Sequence, residues 1–209
     1  MIKRKSYNFF INFKIGFIPF LLLINYSLKA QLLSETELKN ATIYSLEEAL
    51  QKDPLKVYAI SLKRSKLTVI PEEIYQFKNL NSLILKNNKL SEFPKKVIEF
   101  KYLQVLDISS NKITTIPKEL GNLTNLNKLY LHQNKFTSIP HQIKYLKRLT
   151  HLTLSGSKIT NLPIHIRELN QTLTRIEMWQ VPISLKSYRK IKLLLPNTTI
   201  KYSQFCNCD

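Results

Sequence analysis

Five prolines, Pro71, Pro94, Pro117, Pro140 and Pro163, stand at a constant interval of 23 residues. A spacing kept over so many steps marks stacked supersecondary units, because neighbours in such an array must match in length to stay in register. Between the prolines the apolar residues follow two different periods. In "LQVLDISSNKITTIPKELGNLTN" (Leu103 to Asn125), Leu106 and Ile108 alternate with Asp107 and Ser109, as in a strand with one buried face. After Pro117, Leu120 and Leu123 recur at three-residue spacing and suit a short helical turn. Each unit is therefore a strand, a turn and a return, too small to bury its own leucines. Stacking supplies the core.

The units in register are 57–79, 80–102, 103–125, 126–148 and 149–172, the last longer by one residue. One polar column runs through them: Ser65, Asn88, Asn111, Asn134 and Ser157. An amide carries donors and an acceptor, so asparagine can satisfy backbone groups where the chain leaves the strand. Serine does this less completely and stands nearer the ends of the array. Residues 31–56 are expected to form an N-terminal helical cap, with "SLEEALQKD" opening on the Ser45–Glu48 capping box. Residues 173–202 supply a sixth strand in "LTRIEMWQ", a basic amphipathic helix from Ser184 and a final edge strand in "TTIKYS".

The pattern L-x-x-L-x-L-x-x-N-x-L followed by I-P-x-x-I-x-x-L resembles the leucine-rich-repeat family. From Ser45 to Ile200 the chain looks like the secreted leucine-rich-repeat proteins of spirochaetes. In those, a leading segment like that of Leu46, Ala49, Leu50, Pro54 and Leu55 precedes the repeats. A closing cap like that of Pro182, Ile183, Ser184, Leu194, Leu195 and Pro196 follows them. Val181 and Thr198 depart from that cap, where Asn and often Cys are expected. The resemblance implies an α/β solenoid: a right-handed arc with a concave parallel sheet, short helical turns on the convex side and helical caps. It also implies an exported, non-enzymatic protein that binds a protein partner, such as a host receptor or matrix component.

The N-terminus agrees with export. "MIKRKSYNFFINFK" is basic without an acid, "IGFIPFLLLI" is apolar and "NYSLKA" ends on a small residue, the order of a secretory signal over residues 1–30. Cleavage after Ala30 would leave a secreted, cell-surface or periplasmic chain starting at Gln31; the rival is an uncleaved anchor, for which the apolar run is short. Five basic residues and no acid lie in 1–30, so cleavage takes the net charge from +18 to +13. Such an excess favours polyanionic surfaces. The two cysteines, Cys206 and Cys208, lie in an expected flexible tail, 203–209. A bridge across one residue is strained, and two thiols alone make a poor metal site.

Alternation places three rows on the outward sheet face: Ala59, Ser82, Val105, Lys128, His151, Arg175; then Ser61, Ile84, Asp107, Tyr130, Thr153, Glu177; then Lys63, Lys86, Ser109, His132, Ser155, Trp179. Asp107 and Glu177 lie about 14 Å apart by strand spacing, too far for paired carboxylate chemistry. His132 and His151 are similarly separated, at about 14 Å, and cannot share a metal. No nucleophile elbow, phosphate loop or metal-binding motif occurs. No catalysis, cofactor or metal is expected. Lys128, Tyr130, His132, His151, Arg175 and Trp179 form the candidate protein-binding patch, rich in the aromatic and arginine anchors of interfaces. Trp179 has a second reading, burial beneath the terminal cap. A stripe of Lys66, Lys89, Lys112, Lys135 and Lys158 follows the polar column and suits a sulfated glycan or other polyanion; the alternative is a duplicated solvated position. Nucleic acid is disfavoured, since no recognised nucleic-acid module is present. A rival role is that of a structural envelope protein held by charge on an anionic glycan or lipid surface.

Overall fold

The computed structural model describes residues 32–203. The signal expected over 1–30, and Cys206 and Cys208 of the expected tail, lie outside the described residues. From Leu32 onward the chain forms one compact unit, an α/β solenoid.

Seven parallel strands lie side by side in chain order: β1 Ala59–Ser61, β2 Ser82–Ile84, β3 Val105–Asp107, β4 Lys128–Tyr130, β5 His151–Thr153, β6 Arg175–Met178 and β7 Thr199–Tyr202. Their register pairs Ala59, Ser82, Val105, Lys128, His151, Arg175 and Thr199 in one row, as equal repeat lengths demand. Parallel strands need a crossover; the five between β1 and β6 each contain a short 3-10 turn whose preceding residue is a repeat proline, and the α-helix Leu185–Leu194 joins β6 to β7. Proline fixes φ near the value the first turn needs and has no N–H to leave unpaired. So short a run has few α-helical bonds to gain, and the tighter 3-10 form is the one taken here. Between two of these turns the backbones nearly touch: a Cβ at Gly121 would lie 2.9 Å from the Gln142 carbonyl oxygen.

The core is one contiguous cluster. Leu83, Leu106, Leu129, Leu152 and Ile176 point inward from the strands and are almost wholly buried. Each such side chain contributes about 1.5–3 kcal/mol by leaving water. One end of the array is closed by α2 Leu46–Leu50 and the other by α3 Leu185–Leu194; a further helix, α1 Glu35–Asn40, precedes α2. The Ser45–Glu48 capping box opens α2, and Ala49 is its one buried residue. Leu50 and Leu55, part of the resembling segment, are exposed. At the far end Tyr188 of α3 stacks on Tyr202 at 4.5 Å, and the Tyr202 hydroxyl donates to the Ile183 carbonyl at 2.6 Å. Thr198, a departure from the resembling cap, is buried and donates its hydroxyl to the Leu173 carbonyl at 2.6 Å.

Two ladders of polar groups tie the turns together. In the first, the Asn111 carbonyl oxygen of the side chain accepts from Leu90 N–H, and its NH2 donates to the carbonyls of Leu85, Ile108 and Ser109. Asn88 and Asn134 repeat the arrangement one unit away on either side. Ser157 ends the column with a buried hydroxyl that has no partner, whereas Ser65 at the other end is exposed. The second ladder was not foreseen. The carbonyls of Tyr58, Asn81, Gln104, Asn127 and Thr150 each accept two consecutive N–H groups from the next unit, just before its strand. Ahead of the asparagine column, Arg64, Asn87, Ser110, Gln133 and Gly156 all take positive φ, the left-handed step that turns the chain off the sheet.

The ladder makes a graded stability prediction. Asn111→Ala orphans several buried groups and is expected to cost about 1–3 kcal/mol, against less than about 0.5 kcal/mol for Ser65→Ala. Ser157→Asn gives the buried position the amide its neighbours have and is expected to stabilise by about 1 kcal/mol. Thermal melts of the three variants check this order; equal melting temperatures for Asn111→Ala and Ser65→Ala would contradict it.

Candidate protein-binding face

Strand register sets the first two predicted rows side by side, although Ala59, Ser82 and Thr153 among them, and Ser109 of the third row, are buried rather than exposed. Tyr130, His151 and Arg175 line one shallow depression of about 240 Å³, together with Leu152, Thr153 and Glu177. Tyr130 also borders a second depression of about 280 Å³, so its ring separates the two. Lys128 lines the second only. His132 and Trp179 lie outside both, in the third row. Trp179 is 42% exposed, so the cap does not bury it, and its backbone N–H donates to the Ser155 hydroxyl.

The other wall of the second depression is the chain's own N-terminal segment. Sequence reading assigned residues 31–56 to a cap over the first repeat, and α2 does occupy that place. The stretch before it runs instead along the strand starts. Leu33 N–H donates to the Asn81 side-chain oxygen at 3.0 Å, and the Leu33 carbonyl accepts from the Gln104 amide at 2.6 Å. Gln104 in turn donates to Asn81 at 2.8 Å, so two buried amides hold one residue of extended backbone. The α1 helix then starts at a second capping box, Ser34 with Glu37, and places Glu35 3.7 Å from the Lys128 ammonium. No α1 side chain is buried. The Ser-x-x-Glu spacing could have announced the helix, but nothing periodic announces where it lies.

From β3 to β6 the charges of the first two rows are paired or hydrogen-bonded. Arg175 and Glu177 project from the same strand face and form an ion pair, with Nε donating to the carboxylate at 2.7 Å. The planar fork expected of Arg175 is thus shared with Glu177, a residue absent from the predicted patch. Asp107 accepts from both the N–H and the hydroxyl of Ser109. The His132 ring nitrogen Nδ1 lies 3.0 Å from the Thr153 hydroxyl, and that of His151 2.8 Å from the Thr150 hydroxyl. Burial lowers the pKa of His132, opposed by Asp107 and Glu177 and reinforced by Lys86. Burial, then Lys128 and Arg175, lower that of His151, with Glu35 and Glu177 opposing. Burial and the charges of Asp107 and Glu177 raise that of Tyr130. At neutral pH the patch presents two neutral imidazoles and a neutral phenol. Among the described residues no group of His, Cys, Asp or Glu gathers to hold a metal, and no helix is long and apolar enough to cross a membrane.

The leucine-rich-repeat family profile matches residues 101–159, the centre of the array. The fold superposes on a leucine-rich-repeat protein of Leptospira interrogans with a TM-score of 0.62 and 34% identity over 70% of this chain. The chain is a leucine-rich-repeat protein. It also shares its fold with internalin C2 of Listeria monocytogenes, at a TM-score of 0.58 and 22% identity over 71% of this chain. The chain spans 43% of the Leptospira protein and 62% of the internalin. No curated protein sequence matches it.

Both histidines prefer the neutral form when folded, so the unfolded chain binds protons more readily between their depressed pKa values and 6.5. Stability from this source is complete above pH 6.5 and falls as pH drops below it. Imidazole proton NMR is expected to show His132 and His151 titrating below 6.5. Midpoints above 6.5 would contradict the assignment.

Proposed function

We propose that this leucine-rich repeat is a non-enzymatic scaffold that binds a protein through the β4–β6 half of its sheet face. The single observation that supports the reading is the open depression shared by Tyr130, His151 and Arg175 beside a half already covered by the chain itself. Tyrosine offers large apolar area with little side-chain freedom to lose, and a strand held by repeated core packing keeps it in place before a partner arrives. The Arg175–Glu177 pair offers both signs of charge side by side. Binding proteins use such complementarity to fix register more than to raise affinity. Trp179 and His132 extend the surface along the strand ends.

We further read the protein as exported through residues 1–30 and displayed at the surface or in the periplasm of a spirochaete-like cell. A host receptor or matrix protein is the class of partner that display implies. The second reading, retention on an anionic envelope surface, draws on the basic charge, +18 for the full chain and +13 once residues 1–30 are removed, and needs no contact with the sheet face.

A photoactivatable crosslinker at position 130, compared with one at exposed Tyr145 on the outer turns, tests the face directly. A partner captured from position 130 and not from 145 is the expected result. Tyr130→Ala and Arg175→Ala should then each weaken that partner by about 1–3 kcal/mol, the usual range for an interface anchor, without lowering the melting temperature. For Trp179→Ala a parallel fall in stability would mark a packing role instead. Folded variants that bind the partner normally would refute the site. Mass spectrometry of the exported chain should find its first residue near Gln31; retention of residues 1–30 would overturn cleavage.

A further inference from the structure

A second surface, away from the sheet face, is built by the same repeat. Lys66, Lys89, Lys112, Lys135 and Lys158 are all exposed. The backbone N–H of each of the last four donates to the carbonyl of the residue that follows the preceding lysine: Leu67, Leu90, Ile113 and Phe136, at 2.8–3.1 Å. These bonds hold the column at the rung spacing of the solenoid, about 5 Å per step. Among the described residues none of the five lysines is in an ion pair. Two residues on from each lysine stands an exposed hydroxyl: Thr68, Ser91, Thr114, Thr137 and Thr160. Every rung therefore offers one ammonium and one hydroxyl on a rigid edge. Glu92, three residues after Lys89 and exposed, is the one carboxylate set into this strip.

We propose that this edge binds a linear sulfated polysaccharide. A row of like charges at fixed spacing, offset only by Glu92, is repelled within itself, and a partner with anions in line relieves every neighbour at once. The rung spacing is close to the length of one pyranose ring, so sugar units run in step with the column. Hydroxyls beside the ammonium groups both donate and accept, as sugar hydroxyls require. Nucleic acid fits less well. No exposed aromatic ring lies in the strip to stack a base. The bound glycan would leave the β4–β6 depression free, so the two sites operate independently.

The test uses the full chain and heparin-derived oligosaccharides of defined length, with chemically desulfated oligosaccharide, a single-stranded oligonucleotide and phosphatidylserine vesicles as controls. Changing Lys89, Lys112 and Lys135 together to Gln is expected to weaken heparin binding by about tenfold or more, since each exposed charge pair adds a modest share. Lys186, Lys190 and Lys192 of α3 changed together to Gln should leave it unchanged. Glu92→Gln should strengthen it, and Tyr130→Ala should have no effect. Joint change of Thr114 and Thr137 to Val should weaken binding without altering its salt dependence, which distinguishes a shaped site from charge alone. Loss on changing the α3 lysines but not the stripe, equal binding of desulfated oligosaccharide, or tighter binding of the oligonucleotide or vesicles would each overturn the proposal. A result on this edge leaves the proposed protein site untouched, and the crosslinking experiment leaves this one untouched.

Discussion

The structure depends on a buried amide doing the work of a missing strand partner. Where each unit leaves the sheet its backbone must turn inside a dry core, and unpaired N–H or C=O groups there cost as much as the leucines beside them gain. Asn111 resolves this by bonding to its own unit and to the one before it. The bond that closes one turn thus fixes the position of the next. Rung spacing, strand register and the straightness of both surface columns follow from that coupling. In a nearest-neighbour array such a term sets cooperativity, and the orphaned Ser157 hydroxyl marks where it weakens.

Much of this was legible because repetition amplifies it. A single Leu-x-Leu is uninformative, but five in register separate the core leucines from their neighbours, and the first two rows pair as alternation placed them, although Ala59, Ser82 and Thr153 among them, and Ser109 of the third row, are buried. The proline column named the 3-10 turns, and the capping box named α2. Apart from the second, backbone ladder, what escaped was what does not repeat. The course of residues 32–43 depends on two amides, Asn81 and Gln104, whose spacing is that of the repeat but whose occupant comes from outside it. Arg175 reached Glu177 because both side chains leave the same face of one strand, a pairing that alternation permits and does not require. The histidines are neutral because their surroundings are crowded, and crowding is a property of neighbours three strands wide.

The two candidate surfaces obey different physics. On the β4–β6 half of the sheet face, Lys128 and Arg175 are partnered and apolar area is held rigid, which favours a slow-leaving, shape-dependent partner. Along the lysine edge, charges are unpartnered and repeat without variation, which favours fast, salt-sensitive capture of a polymer. A repeat protein can carry both because residues at different offsets within one unit never meet.

The segment held at Leu33 gives the sheet face an occupant of its own. Being part of the chain, it competes at an effective concentration that dilution does not lower. A partner confined to β4–β6 never meets that competitor. A partner that spans β2–β4 binds only the fraction of molecules in which the segment has lifted, and its apparent Kd rises by the inverse of that fraction. Breadth of contact on this surface therefore weakens binding unless the added contacts exceed what Asn81, Gln104 and Lys128 already give the segment. The fold thereby selects for small footprints.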